Sequence, residues 1–274
     1  MQPLEIGVCT WSLAMPDLAS TLEVIKRDLK LDVIHLGFMT ADNQVPASAL
    51  DIVKASGLEV SALAVGFAGE DYSTIQSIAE TGGFAMDDQW PARRDKMFAV
   101  ADLARQLGVK LVSVHVGFVP HDQKDARYHV MVDRTRTICD GLAERGLTLV
   151  METGQETADG LLTFIDAVGR DNIGINFDPA NMILYGVGEP AEALSLLKNH
   201  VVHVHMKDGT WSDKPGRQWG QDVVLGTGDA DIPRIVQQLK DQGYTGPLAI
   251  EREAGDERAA DISEAIKLLE SLPR

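Results

Sequence analysis

The chain has 274 residues and a formal net charge of −16, from 41 Asp+Glu against 25 Lys+Arg. Hydrophobic residues make up 45% and charged residues 24%, which is enough apolar material for a sizeable core. The acidic balance argues against nucleic acid and against an anionic membrane surface, both of which select positive charge. A neutral ligand, or a cation held by carboxylates, stays open. Cys9 and Cys139 stand too far apart to suggest a disulfide framework. No apolar run has the length of a bilayer span and the first residues show no leader pattern, so a cytoplasmic protein is expected.

Short apolar runs alternate with helical patterns along the chain. Leu4–Trp11 reads as a strand and Leu18–Leu29 as an amphipathic helix. Val33–Phe38 is the next strand, and Pro46–Ser56 a helix that starts at proline and stops at Gly57. Glu59–Phe67 is a third strand. A long helix over Pro91–Leu107 ends at Gly108. The fourth strand, Lys110–Val116, precedes a helix over Asp125–Arg145, and the fifth, Thr148–Glu152, a helix over Ala158–Val168. Ile173–Asp178 is the sixth, with a short helix near Ala191–Lys198. Val201–Met206 is the seventh, with a helix over Ile232–Gln242. Leu248–Glu251 and a closing helix over Glu257–Leu269 complete the series.

Eight β/α pairs of roughly 34 residues each predict an α/β fold, a closed (β/α)8 TIM barrel, as a single domain over residues 1–274. The competing doubly wound sheet lacks a Gly-x-Gly-x-x-Gly after its first strand. Two connections, Ala68–Trp90 and Lys207–Ala230, are longer than turns and leave the C-terminal ends of strands, where barrel active sites lie. The second holds Trp211, Arg217 and Trp219 among glycines and reads equally as a lid that contacts substrate or as a solvated loop or subunit contact. Its Gly226-Thr227-Gly228 lacks the Lys and helix of a phosphate loop and reads as a turn.

Strand side chains alternate between the barrel interior and the helical layer. On the fifth strand the bulky Leu147, Leu149 and Met151 suit the helices, so Glu152 points inward. The same parity turns Asn176 and Asp178 inward on the sixth strand, His203, His205 and Lys207 on the seventh, and Glu251 on the eighth. Four adjacent strands thus deliver Glu152, Asp178, His205 and Glu251 to one rim. Unpaired carboxylates there would repel one another, and a divalent cation removes that penalty. Three carboxylates and one imidazole suit Mn²⁺, Mg²⁺ or Co²⁺, with Zn²⁺ the other metal this set accepts. Ser113 and His115 face inward on the fourth strand, and Gly7, Cys9 and Trp11 on the first. His115 reads equally as a substrate contact or a core hydrogen-bonder, and Trp11 as a sugar-stacking ring or core filling. The third strand does not resolve by parity.

At these residues the sequence resembles the xylose isomerase-like, sugar phosphate isomerase/epimerase superfamily. The matching runs are Leu149-Val150-Met151-Glu152, Asn176-Phe177-Asp178-Pro179-Ala180-Asn181, His203-Val204-His205-Met206-Lys207-Asp208, Leu225-Gly226-Thr227-Gly228 and Leu248-Ala249-Ile250-Glu251. The resemblance implies one Mn²⁺, Mg²⁺ or Co²⁺ on Glu152, Asp178, His205 and Glu251, with Glu152 and Glu251 as the catalytic acid/base pair. It implies a sugar isomerase or epimerase that abstracts a proton beside a metal-bound carbonyl and passes through an enediolate. The ketose 3-epimerases of this superfamily carry a histidine where this chain has Asn181 and an arginine where it has Trp211. The metal centre therefore matches and the substrate pocket differs. Trp11, His115, Asn181, Lys207 and Arg217 are the candidate substrate contacts.

The same ligands also serve a 3-keto-sugar or 3-keto-glycoside lyase or hydratase, since elimination starts from the same proton abstraction. A more distant alternative is an apurinic-site endonuclease-like DNA repair enzyme, whose metal cluster needs more ligands than four strand ends supply. The expected partner is a small sugar or sugar derivative, with no nucleic acid and no membrane, and with homo-oligomerisation left open.

Overall fold

Eight parallel strands close on themselves in the computed structural model, which describes residues 4–39 and 43–273. They are β1 (Ile6–Cys9), β2 (Val33–Phe38), β3 (Glu59–Val65), β4 (Leu111–Val114), β5 (Thr148–Glu152), β6 (Ile173–Phe177), β7 (Val201–Met206) and β10 (Leu248–Ile250). A separate antiparallel hairpin, β8 (Asp208–Thr210) and β9 (Gln221–Val223), lies between β7 and β10. The neighbour order around the barrel follows the chain, with β10 closing between β7 and β1. The predicted (β/α)8 barrel is the observed fold.

The helical layer comprises α1 (Leu18–Arg27), α2 (Ala49–Ser56), α3 (Ile75–Thr81), α4 (Trp90–Leu107), α5 (Ala126–Ala143), α6 (Ala158–Val168), α7 (Pro179–Leu184), α8 (Pro190–Leu197), α9 (Ile232–Asp241) and α10 (Arg258–Ser271). Local chemistry sets many of their ends. The Asp17 carboxylate accepts from the Ser20 amide at the start of α1, and Gly57, Gly108 and Gly169 stop α2, α4 and α6 in the left-handed conformation. Among the described residues no helix is long and apolar enough to cross a membrane.

The outward faces of the strands form the core with these helices through Val8, Ile34, Leu36, Val112, Leu149, Ile175, Val204 and Ile250. The inward ring runs through small residues. Ala62 pairs with His35, Ala64 with both Gly37 and Ser113, and Gly174 with Val150. These small side chains leave the barrel axis to histidines. A bulge explains why the third strand resists a parity reading: Val60 pairs with Ile34 and Ala62 with His35, leaving Ser61 as an extra residue. Ser61 turns inward to His203, and the inward parity restarts at Ala62. Val202 is the extra residue of a second bulge and is exposed.

Neither long connection is structureless. The first contains α3 and is tied down by Arg93, whose buried guanidinium donates to the carbonyls of Thr81, Gly83 and Ala68. Glu70 adds acceptors for the amides of Phe67 and Gly83. The second contains the β8–β9 hairpin, built around two carboxylates. Asp208 accepts from the amides of Gly209, Gly226, Gly228 and Ala230 at 2.9–3.1 Å. The amides of the Gly226-Thr227-Gly228 turn thus wrap an internal carboxylate, and a Cβ at Gly228 would lie 2.3 Å from it. Asp222 on β9 pairs with Arg252 and accepts from the amides of Glu253 and Ala254, which pins the hairpin to the chain leaving β10.

Candidate active site

Four side chains converge where β5, β6, β7 and β10 end. Glu152 closes β5, Asp178 follows β6, His205 lies within β7 and Glu251 follows β10. Asp178 and Glu251 fall one residue beyond the strands they were assigned to. Asp178 doubles as the N-cap of α7, where its Oδ1 accepts from the Asn181 amide at 3.0 Å. One donor atom from each of the four lies within 4.8 Å of the others.

Nδ1 of His205 stands among the three carboxylates, 3.1 Å from Glu152 Oε1, 3.4 Å from Glu251 Oε2 and 3.7 Å from Asp178 Oδ2. Burial alone would depress this imidazole, but the carboxylates around it outweigh that and raise it well above the usual histidine range. Asp178 is fully buried, its Oδ2 has no hydrogen-bond partner, and burial pushes its carboxyl up to about 7. A dry cluster that draws a proton onto its histidine and leaves a carboxylate oxygen orphaned is short of positive charge. The donor set of three carboxylate oxygens and one imidazole nitrogen fits a divalent cation.

Below this cluster the barrel axis holds a polar column. His205 Nε2 lies 2.9 Å from His35 Nδ1 and 3.1 Å from the Asn176 amide, and His35 Nε2 lies 3.1 Å from Ser113 Oγ. His203 joins Asn176 at 2.9 Å and Ser61 at 3.0 Å. Burial, helped by the neighbouring imidazoles, holds His35 well below the usual range and His203 at about 3. For His205 to offer the Nδ1 lone pair to a cation, its proton must sit on Nε2 and be donated to His35, whose own proton then goes to Ser113. Cys9, His35 and His205 also bring donor atoms together, but the 2.9 Å contact between the imidazoles is a hydrogen bond. Burial pushes the Cys9 thiol up to about 12, so Cys9 is a packing residue.

Above the cluster opens a cavity of about 550 Å³. Four of the candidate substrate contacts, Trp11, His115, Asn181 and Lys207, line it. Trp11 sits in a short 3₁₀ turn after β1, where Gly37 leaves room for its indole. It donates from Nε1 to Glu251 Oε1 at 2.7 Å, so it holds a carboxylate as well as presenting a ring. Lys207, 2% exposed, donates to Glu251 Oε2 at 2.9 Å and also to Glu253. Asn181 donates to Glu152 Oε1 at 3.1 Å, and His115 Nε2 lies 3.5 Å from Glu152 Oε2. Arg217 does not reach the cavity. It stands exposed on the turn between β8 and β9, and Trp219 from the same turn lines the wall instead, edge-on to Tyr185. The hairpin fixes which side of this segment faces inward, and no periodicity in the sequence encodes that choice.

A profile of the xylose isomerase-like TIM barrel family matches residues 28–272. The chain belongs to this family. It is 35% identical to a xylose isomerase domain protein from Planctomyces limnophilus over 98% of this chain and 97% of that one, with a TM-score of 0.87. A xylose isomerase-like TIM barrel protein from Mycobacterium smegmatis, solved in complex with magnesium, shares the fold at 16% identity and a TM-score of 0.73, over 98% of each chain. An inosose dehydratase from Clostridium perfringens is 27% identical over 165 residues, 52% of this chain and 55% of that one. The chain spans about half the length of the curated relatives it matches.

In this xylose isomerase-like barrel, sequence reasoning missed His35, Glu253, Tyr72 and Tyr185. His35 lies in a strand that is buried almost throughout, so no polar alternation marked it. A lone histidine in an apolar strand beside the predicted inward Cys9 was the available signal, since Cys9 and His35 are paired in register. Glu253, Tyr72 and Tyr185 lie outside the strands, where parity has no force.

Proposed function

We propose that this protein is a divalent-metal-dependent isomerase or epimerase that removes a proton from the carbon beside a carbonyl of a sugar or sugar derivative. The observation that carries this reading is the pair Glu152 and Glu251. They come from strands separated by two others and meet at one cation-deficient cluster on the floor of the cavity. Glu152, Asp178, His205 and Glu251 would hold the ion, which when bound draws electron density from a ligated carbonyl and so acidifies the neighbouring C–H.

Glu251 has the character of a base. Burial would raise its carboxyl, but Lys207 and His205 outweigh that and hold it well below the usual range, so it is ionised at neutral pH. Trp11 and Lys207 each hold one of its oxygens, which fixes the carboxylate for proton transfer. Glu152 is aligned by Asn181 and flanked by His115 and His205, and serves as the second acid/base group. Return of the proton to the opposite face of the same carbon gives an epimer. Return to the former carbonyl carbon gives the aldose–ketose isomer.

A second reading, loss of a β-hydroxyl or glycosidic oxygen as in a 3-keto-sugar lyase or hydratase, draws on two observations. Lys207 places an ammonium against the proposed base, where it can protonate a leaving oxygen, and the sequence is related to an inosose dehydratase. Glu251→Gln keeps an oxygen donor and removes the base. It should lower solvent-deuterium exchange at the substrate carbon by roughly 10²–10⁴-fold while bound metal stays at the wild-type level. Full exchange in this variant would place the base elsewhere. Mass analysis of the same reactions separates isomerisation from loss of water or an alcohol.

A further inference from the structure

Away from the metal cluster, one buried carboxyl group reaches from one loop to another. Glu156 stands on the segment between β5 and α6 and is 7% exposed. Its Oε1 accepts from the Val119 amide at 2.8 Å, and its Oε2 lies 3.4 Å from His121 Nε2. Val119 and His121 belong to the segment that joins β4 to α5. Gly117, at a φ of +97°, turns that segment off the strand, and Asp125 caps α5 at its far end. Among the described residues, the Val119 amide makes the one hydrogen bond that ties residues 118–121 to another element. Phe118 borders two spaces. Its ring packs 5.8 Å from that of Tyr185, which lines the cavity above the cluster and stands 4.6 Å from Trp219. It also lines a second cavity of about 620 Å³, together with Val119, Pro120, His121, Met86 and Met131. The segment therefore has room to move, and a single carboxyl group holds it.

We propose that Glu156 is a positioning residue that clasps the segment after β4 and, through Phe118, sets the Tyr185–Trp219 wall of the cavity, and that this clasp loosens as the pH rises. A neutral carboxyl group accepts from the Val119 amide and stays dry, whereas a carboxylate in the same place gives up most of its hydration for one neutral donor. Burial accordingly pushes the Glu156 carboxyl up to about 7. Among the described residues, His121 brings the one basic group within 4 Å of it, and that ring is 81% exposed, where solvent screens its charge. Asp122, Lys124, Asp125, Arg127 and His129 on the β4–α5 side and Asp159 on α6 are exposed, and Glu152, on the same segment as Glu156, is turned to the metal cluster. A carboxyl group released to water regains its ordinary value near 4.5, so the clasped form binds the proton more tightly between there and about 7. Over that range each unit of pH favours release by up to about tenfold. The clasp acts on the cavity wall whichever reaction runs there, so its test needs no turnover.

The test compares pH 5.5 with pH 8 on the whole chain with Mg²⁺ present. Hydrogen exchange of the Val119 amide, normalised to its intrinsic rate at each pH, reads the clasp. The emission of Trp219, taken as the difference between wild type and Trp219→Phe, reads the wall. Protection of Val119 should fall roughly 25-fold across this interval, the ratio set by carboxyl values near 4.5 in the released form and about 7 in the clasped one. Trp219 emission should move with it. Glu156→Gln keeps an acceptor for the amide and cannot ionise, so both readouts should stay at their pH 5.5 values, and Glu156→Ala should show low protection at both pH values. Undiminished protection of wild type at pH 8, or the same fall in Glu156→Gln, overturns the pH sensitivity. Full protection in Glu156→Ala, or none in wild type at pH 5.5, overturns the clasp itself. A fall in protection with Trp219 emission unmoved shows that the segment opens without the wall and overturns the positioning role.

Discussion

Replacing Trp11 by Phe removes one hydrogen bond and keeps an aromatic ring at the cavity wall. The indole donates to Glu251 Oε1 at 2.7 Å, and the carboxylate it holds is buried. A hydrogen bond to a charged group is worth about 1.5–3 kcal/mol, and about 1.4 kcal/mol corresponds to a tenfold change in proton affinity. Because the donor stabilises only the ionised form, losing it moves the Glu251 carboxyl upward by roughly 1–2 pH units. The proposed base works ionised, so the acid limb of kcat/KM moves to higher pH by the same amount, and the variant recovers activity as the pH is raised. The phenyl ring retains the edge contacts that the indole makes with His35 and His205, whose ring centroids lie 5.1 and 5.8 Å away. The assay is the pH profile of solvent-deuterium exchange for wild type and Trp11→Phe. An unmoved acid limb, with KM raised equally at every pH, would show that the ring touches substrate and does not tune the base.

His35→Leu should weaken metal binding about 10–100-fold by calorimetric titration, because His205 then loses the partner that takes its Nε2 proton, and His35→Gln should recover part of the loss. Chelation should lower both turnover and thermal stability, and Mn²⁺ should restore them, because a native-state ligand is removed and returned. Full turnover by the metal-free protein would refute the metal-dependent chemistry. Glu156, 7% exposed, has its carboxyl pushed up to about 7 by burial. Its folded form therefore keeps a proton that the unfolded chain releases, and stability falls as pH rises from the ordinary carboxyl range through about 7. Glu156→Gln should match wild type below that window and exceed it by roughly 3 kcal/mol at pH 8, a gain of about 5 °C in Tm by calorimetry. Equal Tm values at both pH values would show that the carboxyl is not held protonated.

How far the site was legible follows from where each residue sits. Glu152, Asp178, His205 and Glu251 lie at or beside the ends of strands whose other face is continuous Val, Leu, Ile, Met and Phe. One parity assignment per strand therefore orients them. The reading survives shorter strands than expected, because Asp178 and Glu251 continue the direction of the strand they follow. It fails at β3, where the bulge at Ser61 puts two consecutive residues on the inward side, and at His35, where an almost wholly buried strand shows no polar contrast. It has no purchase on the β8–β9 hairpin. The bonds that shape that hairpin join Asp208 to amides 18–22 residues onward and Asp222 to Arg252, 30 residues away. Side-chain carboxylates that organise distant backbone leave no periodic trace, so Arg217 and Trp219 were indistinguishable in the sequence although the structure puts them on different sides of the turn.

The polar column under the cluster bears on why this barrel has so acidic a floor. Three imidazoles, an amide and two hydroxyls replace the branched apolar layers that usually fill a barrel, and each buried polar atom left without a partner costs about 1–3 kcal/mol. Such a core is a poor choice for stability alone, since apolar side chains of similar volume would fill the space without that risk. Its gain is orientation. His205 is held from below by His35 and from above by carboxylates, which keeps its Nδ1 in the cluster. The small residues on the inward faces of β1, β2, β3, β6 and β10 make room for that column. Enlarging one of them, as in Ala62→Val beside His35, should therefore lower metal affinity more than it lowers the apo protein's Tm. If the Tm fell while affinity was kept, the column would be packing material and not the support of the metal ligand.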